Sequence, residues 1–253
     1  MPKTVFITGA SSGFGESIAH RFAQNGDRLV LNGRRKDRLE TLASRLQVQF
    51  NSQIHLSVFD VQDRIAVQQA VEDIPASFKN IDILINNAGL ALGRDLFQDA
   101  DISDWETMFQ TNVMGLLYVT RAVLPWMQSS KCPHIINMGS IAGKEVYQRG
   151  NVYCASKAAV NSLSKSMRTD LLEKGFKVTA IHPGAAETEF SNVRFKGDTI
   201  KAAAMYEGYQ ALSAKDVAEI VYYTTTLPEH VCINDLEVTC VAQASSFYTH
   251  KVS

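Results

Sequence analysis

Tyr153 and Lys157 stand four residues apart in the stretch YQRGNVYCASK (147–157), and Ser140 precedes the tyrosine by 13 positions. On a helix, residues four apart share one face, so the phenol and the ammonium can point into one cleft. A free phenol titrates near pH 10, and a neighbouring ammonium favours the phenolate, so Lys157 is expected to bring Tyr153 closer to working pH as an acid/base. A serine hydroxyl beside the pair would hold a carbonyl oxygen. Asn86 and Asn87 in NNAG, and Asn112 in a long apolar helical segment, add amides where core is otherwise expected. The plain alternative for each is capping or backbone satisfaction. Together these groups suit proton delivery to a carbonyl.

Such groups must be held by a frame, and the sequence alternates between two periodicities. TVFITG (4–9), RLVLNG (28–33), IHLSVFDV (54–61), IDILINNAG (81–89), HIINMGS (134–140) and KVTAIHPG (177–184) read as strands separated by helical pattern. In the first helix Phe14, Ile18, Ala19, Phe22 and Ala23 recur at spacings of three and four; Leu39, Leu42, Ala43 and Leu46 do so in the second. Strand and helix in alternation predict an α/β fold, a Rossmann-like doubly wound parallel sheet covered on both faces. Ligands of such sheets sit beyond the carboxyl ends of the strands, where Ser140 and NNAG fall. Few prolines, no linker and no repeat place residues 1–253 in one domain.

The first strand runs into TGASSGFG, with Gly9, Gly13 and Gly15 in a strand-to-helix turn. Glycines there admit a pyrophosphate to the backbone, and the helix N-terminus offers free N–H groups to it. The same residues match G-x-S-x-G, which would make Ser11 a hydrolase nucleophile. Position argues against that reading, because such an elbow lies mid-sheet and this turn follows the first strand. Past the second strand comes LNGRRKDR: Arg34 and Arg35 follow the strand directly, and the first acid, Asp37, is already inside the helix. Guanidinium groups grip a 2′-phosphate bidentately, and arginine in a helix's first turn opposes the dipole unless an anion is bound. NADP(H) is therefore the expected dinucleotide. Asp60 would accept from the adenine amine or else cap the next helix.

A net charge of −1 and a pI near 6.6 give no global attraction to nucleic acid or to an anionic membrane. MPKTVFITG reaches its glycine turn too early for a signal segment, and no apolar run approaches a membrane span. Cys132, Cys154, Cys232 and Cys240 form no CxxC pair, which predicts reduced thiols, no metal and a cytoplasmic protein.

TGASSGFG, Asp60, NNAG, Asn112, Ser140, Tyr153-x-x-x-Lys157 and HPGAAET occur in the order and at the spacings of the short-chain dehydrogenase/reductase family, which the chain resembles over essentially its whole length. NIDILINNAGLALG, DWETM, TRAVLP and TEFSNVRFKGD further resemble the NADP-dependent 3-hydroxy acid dehydrogenases and the related sulfoacetaldehyde reductases. The resemblance implies catalytic roles for Asn112, Ser140, Tyr153 and Lys157. Tyr153 would protonate the carbonyl oxygen that Ser140 orients, Lys157 would hold the nicotinamide ribose, and Asn112 would anchor a relay water. It implies cofactor contacts from Gly9, Ser11, Ser12, Gly13, Phe14 and Gly15, from Arg34 and Arg35, from Asp60 and Val61, and from Asn87, Ala88 and Gly89. Pro183, Gly184 and Thr188 would border the nicotinamide. A homotetramer, with the aromatic tail SSFYTHKVS against a neighbouring subunit, is implied likewise.

A small anionic aldehyde or hydroxy acid needs a fixed cation near the Ser140–Tyr153 pair. Arg149 lies in the segment joining them, beside Gln148, and Arg194 and Lys196 follow the sixth strand. The resembling enzymes typically carry a small or uncharged residue at the position of Arg149. A guanidinium with an extra amide suits an acceptor-rich head, so sulfoacetaldehyde stands beside malonic semialdehyde as substrate. Otherwise Arg149 forms a surface pair with Glu145, Glu187 or Glu189. A broad hydroxy acid dehydrogenase, a reductase of neutral ketones and a non-catalytic NADP-binding sensor remain as alternatives.

Overall fold

A computed structural model describes residues 2–252. The strands are β1 (Thr4–Ile7), β2 (Arg28–Gly33), β3 (Ile54–Val58), β4 (Ile83–Asn86), β5 (His134–Met138), β6 (Lys177–Pro183), β7 (Ala186–Glu187), β8 (Leu212–Ser213) and β9 (Asp235–Val238). The helices are α1 (Gly13–Gln24), α2 (Lys36–Phe50), α3 (Arg64–Glu72), α4 (Ile102–Phe109), α5 (Leu116–Met127), α6 (Asn151–Asp170), α7 (Phe190–Arg194), α8 (Thr199–Ala204) and α9 (Ala214–Thr224). A π-helical segment, Gln110–Gly115, joins α4 to α5. Seven strands form one parallel sheet in the order β3-β2-β1-β4-β5-β6-β9, while β7 and β8 pair separately.

Side-chain alternation along the strands divides the core between the two faces of the sheet. Val5 and Ile7 join Ile18, Phe22, Leu39, Leu46 and Val221 under α1, α2 and α9. Phe6, between them in sequence, joins Leu84, Val67, Val71, Val119 and Val123 on the opposite side. A one-residue slip of β1 would exchange these sets, so both faces fix its register. The chain order reverses between β1 and β4, and at that switch point the carboxyl ends of the strands open into a cavity of about 440 Å³.

The six strands read from periodicity are present; β2 keeps the bounds 28–33, and the other five are shorter than the quoted runs. β9 is additional: its DLEV alternates exposed acids with half-buried Leu236 and Val238 at the sheet edge. Lys144 on the adjoining loop pairs with Asp235 and Glu237 of that edge.

Candidate active site

The cofactor side of the cavity is built chiefly by backbone. Gly9 turns the chain at φ 65°, and a Cβ on Gly15 would collide with the Gly9 carbonyl, so α1 can begin directly against the turn. Ser12 is the N-cap residue, yet its hydroxyl makes no capping bond and instead accepts from Arg35 Nη2 at 2.7 Å. The first N–H groups of α1 therefore face the cavity without a side-chain acceptor. Thr8 Oγ1 accepts from the backbone of Asn87 and Ala88, each at 2.9 Å, and Asn87 Nδ2 donates to Thr8 O at 2.8 Å. These bonds lock NNAG against the glycine turn across the β1–β4 switch.

Gly9, Ser11, Ser12, Gly13 and Phe14 line this side, with Arg34 and Arg35 at the end of β2. Asp60, Val61, Asn87, Ala88 and Gly89 continue the wall, and Pro183, Gly184 and Thr188 close it above. Gly15 lies behind it, in contact with the turn. Asp63, not Asp60, caps α3, accepting from the backbone of Ile65 and Ala66. Asp60 pairs with Arg34 at 3.3 Å and accepts from the Gln62 backbone at 3.0 Å. The exposed arginines, the glycine turn and the open helix end fit a pyrophosphate and an additional 2′-phosphate.

The catalytic side is built by side chains. Tyr153 and Lys157 lie in the first turns of α6 and are buried against the cavity; Ser140 caps the short turn after β5. Lys157 Nζ donates to Met138 O at 2.9 Å, and burial lowers its pKa to about 8. Burial also pushes the Tyr153 phenol above its ordinary value, opposed by a hydrogen bond with Ser140 and by the charge of Arg194. The expected depression by Lys157 is not what acts on the phenol. Desolvation outweighs the neighbouring charges, and the cation that does favour phenolate is Arg194. Burial thus favours the neutral, proton-bearing form of Tyr153 over the phenolate.

Asn112 sits in the π-helical segment. Its Nδ2 donates to Leu90 O at 2.8 Å and to Ser156 Oγ at 3.0 Å, and its Oδ1 accepts from the Leu90 backbone at 2.8 Å. The side chain therefore fastens the loop after β4 to the catalytic helix rather than lining the cavity.

Arg194 lines the cavity only 7% exposed, its guanidinium 5.5 Å from the rings of both Tyr147 and Tyr153. It has no carboxylate partner among the described residues. Arg94, from the loop after β4, shares the cavity and is near enough for Arg194 and Arg149 to lower its pKa, after desolvation. Sequence reading passed over Arg94, although it directly follows the quoted NIDILINNAGLALG. Gln148 and Arg149 are exposed and stand outside the lining. Arg149 takes φ 66° and makes no ion pair with Glu145, Glu187 or Glu189. Glu145 is engaged by the Ser246 backbone at 2.7 Å, and Glu189 by Arg35 and Arg38.

The four cysteines are free thiols. Among the described residues no helix is long and apolar enough to cross a membrane.

Residues 3–198 match the family model described as short chain dehydrogenase. The chain is 48% identical over 241 residues to the NADP-dependent 3-hydroxy acid dehydrogenase YdfG of Shigella flexneri, covering 95% of this chain and 96% of that one. It is also 48% identical over 249 residues to a sulfoacetaldehyde reductase of Chromohalobacter salexigens, covering 98% of each. Among solved structures, the closed form of a serine dehydrogenase complexed with NADP+ superposes with a TM-score of 0.91 at 45% identity, covering 99% of this chain and all of that one.

Proposed function

The chain belongs to the short chain dehydrogenase family as an NADP(H)-dependent oxidoreductase, and from that premise we propose that it reduces a short aldehyde carrying an anionic head group and, in reverse, oxidises the corresponding hydroxy acid. The observation that carries the substrate is Arg194. A buried guanidinium is costly unless paired, and this one stands over the Tyr153 ring with a second cation, Arg94, in the same cavity. A carboxylate or sulfonate bound there would leave an aldehyde carbon a short distance away at the tyrosine. The 3-hydroxy acid and sulfoacetaldehyde enzymes among the relatives favour the same reading.

NADPH, when bound, supplies the hydride. The chain's contribution is position and proton. Tyr153 delivers its phenolic proton to the carbonyl oxygen while Ser140 Oγ holds that oxygen in line. Burial favours the neutral phenol, the form that carries the proton to be delivered. Lys157, anchored on Met138 O, would hold the nicotinamide ribose, and Asn112 fixes the loop after β4. Gly9 to Gly15 and the start of α1 receive the pyrophosphate, with Arg34 and Arg35 at the 2′-phosphate. The protein works in the cytoplasm as a homotetramer, with Phe247, Tyr248 and Val252 of the exposed tail as contacts between subunits. Light scattering on the purified protein checks that assembly.

The test is kcat/KM with NADPH for sulfoacetaldehyde, malonic semialdehyde and propanal, on wild type and Arg194→Gln. The anionic substrates should lead by about 10-fold or more, and the substitution should erase most of that lead while propanal changes by less than about 3-fold. The better anion names the physiological head group. Equal rates for all three would identify a broad carbonyl reductase, and NADPH binding without turnover of any would identify a sensor.

A further inference from the structure

Every arginine at the end of β2 already has an anionic partner within the chain. Arg34 pairs with Asp60, at 3.3 Å. Arg35 Nη1 lies 3.1 Å from Glu189 Oε2, while its Nη2 reaches the hydroxyls of Ser11 and Ser12 at 3.1 and 2.7 Å. Arg38, in the first turn of α2, meets both oxygens of Glu189, at 2.7 and 2.9 Å. Glu189 is distant in sequence, standing just before α7 in the segment that returns from β6. Hydrogen bonds from Arg38 and Arg35 hold its carboxyl below the usual range against the opposing effect of burial, so it is ionised throughout the neutral region. One carboxylate thus bridges Arg35, which a 2′-phosphate would seek, and its neighbour Arg38.

A phosphate dianion and a carboxylate cannot share Arg35 and Arg38 without mutual repulsion at hydrogen-bond range. Asp60 engages the other arginine at the end of β2, Arg34, singly and at a longer 3.3 Å. Resting on the NADP(H) reading above, we propose that Glu189 is a resident counter-anion of the 2′-phosphate site, which the phosphate must displace from Arg35 and Arg38 when the cofactor is taken up. The carboxylate lowers affinity for NADP(H) selectively, because NAD(H) presents a hydroxyl where the competition occurs.

The experiment measures dissociation constants of NADP+, NAD+ and 2′,5′-ADP by calorimetry at low ionic strength, on wild type and Glu189→Gln. The glutamine keeps the shape of the exposed side chain and removes its charge. Tightening of NADP+ and of 2′,5′-ADP by about 5-fold or more, with NAD+ changed less than about 2-fold, is the expected result, and raising the salt should shrink the gain. Unchanged or weakened NADP+ binding in Glu189→Gln overturns the proposal, since Glu189 would then merely orient Arg35. Equal tightening of NAD+ overturns it as well. A wild type with no preference for NADP+ over NAD+ instead removes the cofactor reading on which the proposal stands.

Discussion

The two sides of the cavity are built from different materials. On the β1–β2 side, the ligand-facing groups are a turn that only glycine permits, the open end of a helix, and arginines at a strand terminus. On the β4–β6 side, polar side chains are threaded through the core. Asn86 Nδ2 donates to Thr120 Oγ1 and Asn137 Oδ1, both at 2.8 Å, and Asn137 Nδ2 donates to Ser164 Oγ at 2.9 Å. A backbone-made site tolerates changes of neighbouring side chains, whereas a side-chain network in low dielectric loses the most when one member is left unpaired. On the function proposed above, the first side would bind the cofactor and the second would hold the reacting atoms.

That division predicts separable losses. Tyr153→Phe should lower kcat by about 1,000-fold, within the range for a lost general acid, with the NADP+ dissociation constant unchanged within about 2-fold. Stopped-flow turnover and fluorescence titration read the two quantities, and a parallel loss of cofactor affinity would break the separation. Arg35→Ala should do the converse. Its preference for NADP+ over NAD+ should fall by about 10- to 100-fold, with kcat at saturating cofactor largely kept.

Lys157 tests the cost of the catalytic side. Its folded pKa, about 8, lies below the unfolded value near 10.5, so the native state releases this proton first. Between those values the unfolded chain binds more protons, and this group's contribution to stability rises with pH. Below pH 8 both states are charged and the burial cost stands in full. Urea unfolding at pH 7.5 and 10 should show a rise on the order of 3 kcal/mol in wild type relative to Lys157→Met, as an upper bound. An identical pH slope in both proteins would mean that the ammonium is solvated. The smallest effect belongs to Arg149→Ala, expected to change kcat/KM for anionic aldehydes by less than about 2-fold, as for other surface charges. A loss approaching that of Arg194→Gln would move substrate recognition to the cavity's rim.

The contrast between the two sides also explains what the sequence made legible. Local patterns encode backbone: TGASSGFG, RR after β2 and the six apolar strand runs were readable because their meaning lies within a few residues. β9 escaped because an edge strand with exposed Asp235 and Glu237 carries only half a hydrophobic pattern. Tyr153, Lys157 and Ser140 were found through spacing and family resemblance, but their electrostatics were not. Arg194 comes from a segment 41 residues beyond Tyr153, and no periodicity places its charge over that ring. Arg149, nearer to Tyr153 in sequence, stands outside the cavity lining. A left-handed backbone at φ 66° accompanies a side chain left on the exposed surface of the loop before α6.

The π-helical segment at Gln110–Gly115 has a further meaning for how this enzyme can be altered. A π turn holds a residue more than an α turn needs, and each helical residue advances the face by about 100°. Deleting Met114 would let α4 and α5 merge into one regular helix, improving the ladder of backbone bonds. It would also rotate one flank of that helix against the other and pull Asn112 away from Leu90 or Ser156. The gain in backbone regularity would leave a buried amide short of its partners, so straightening this helix would cost the fold as well as the site.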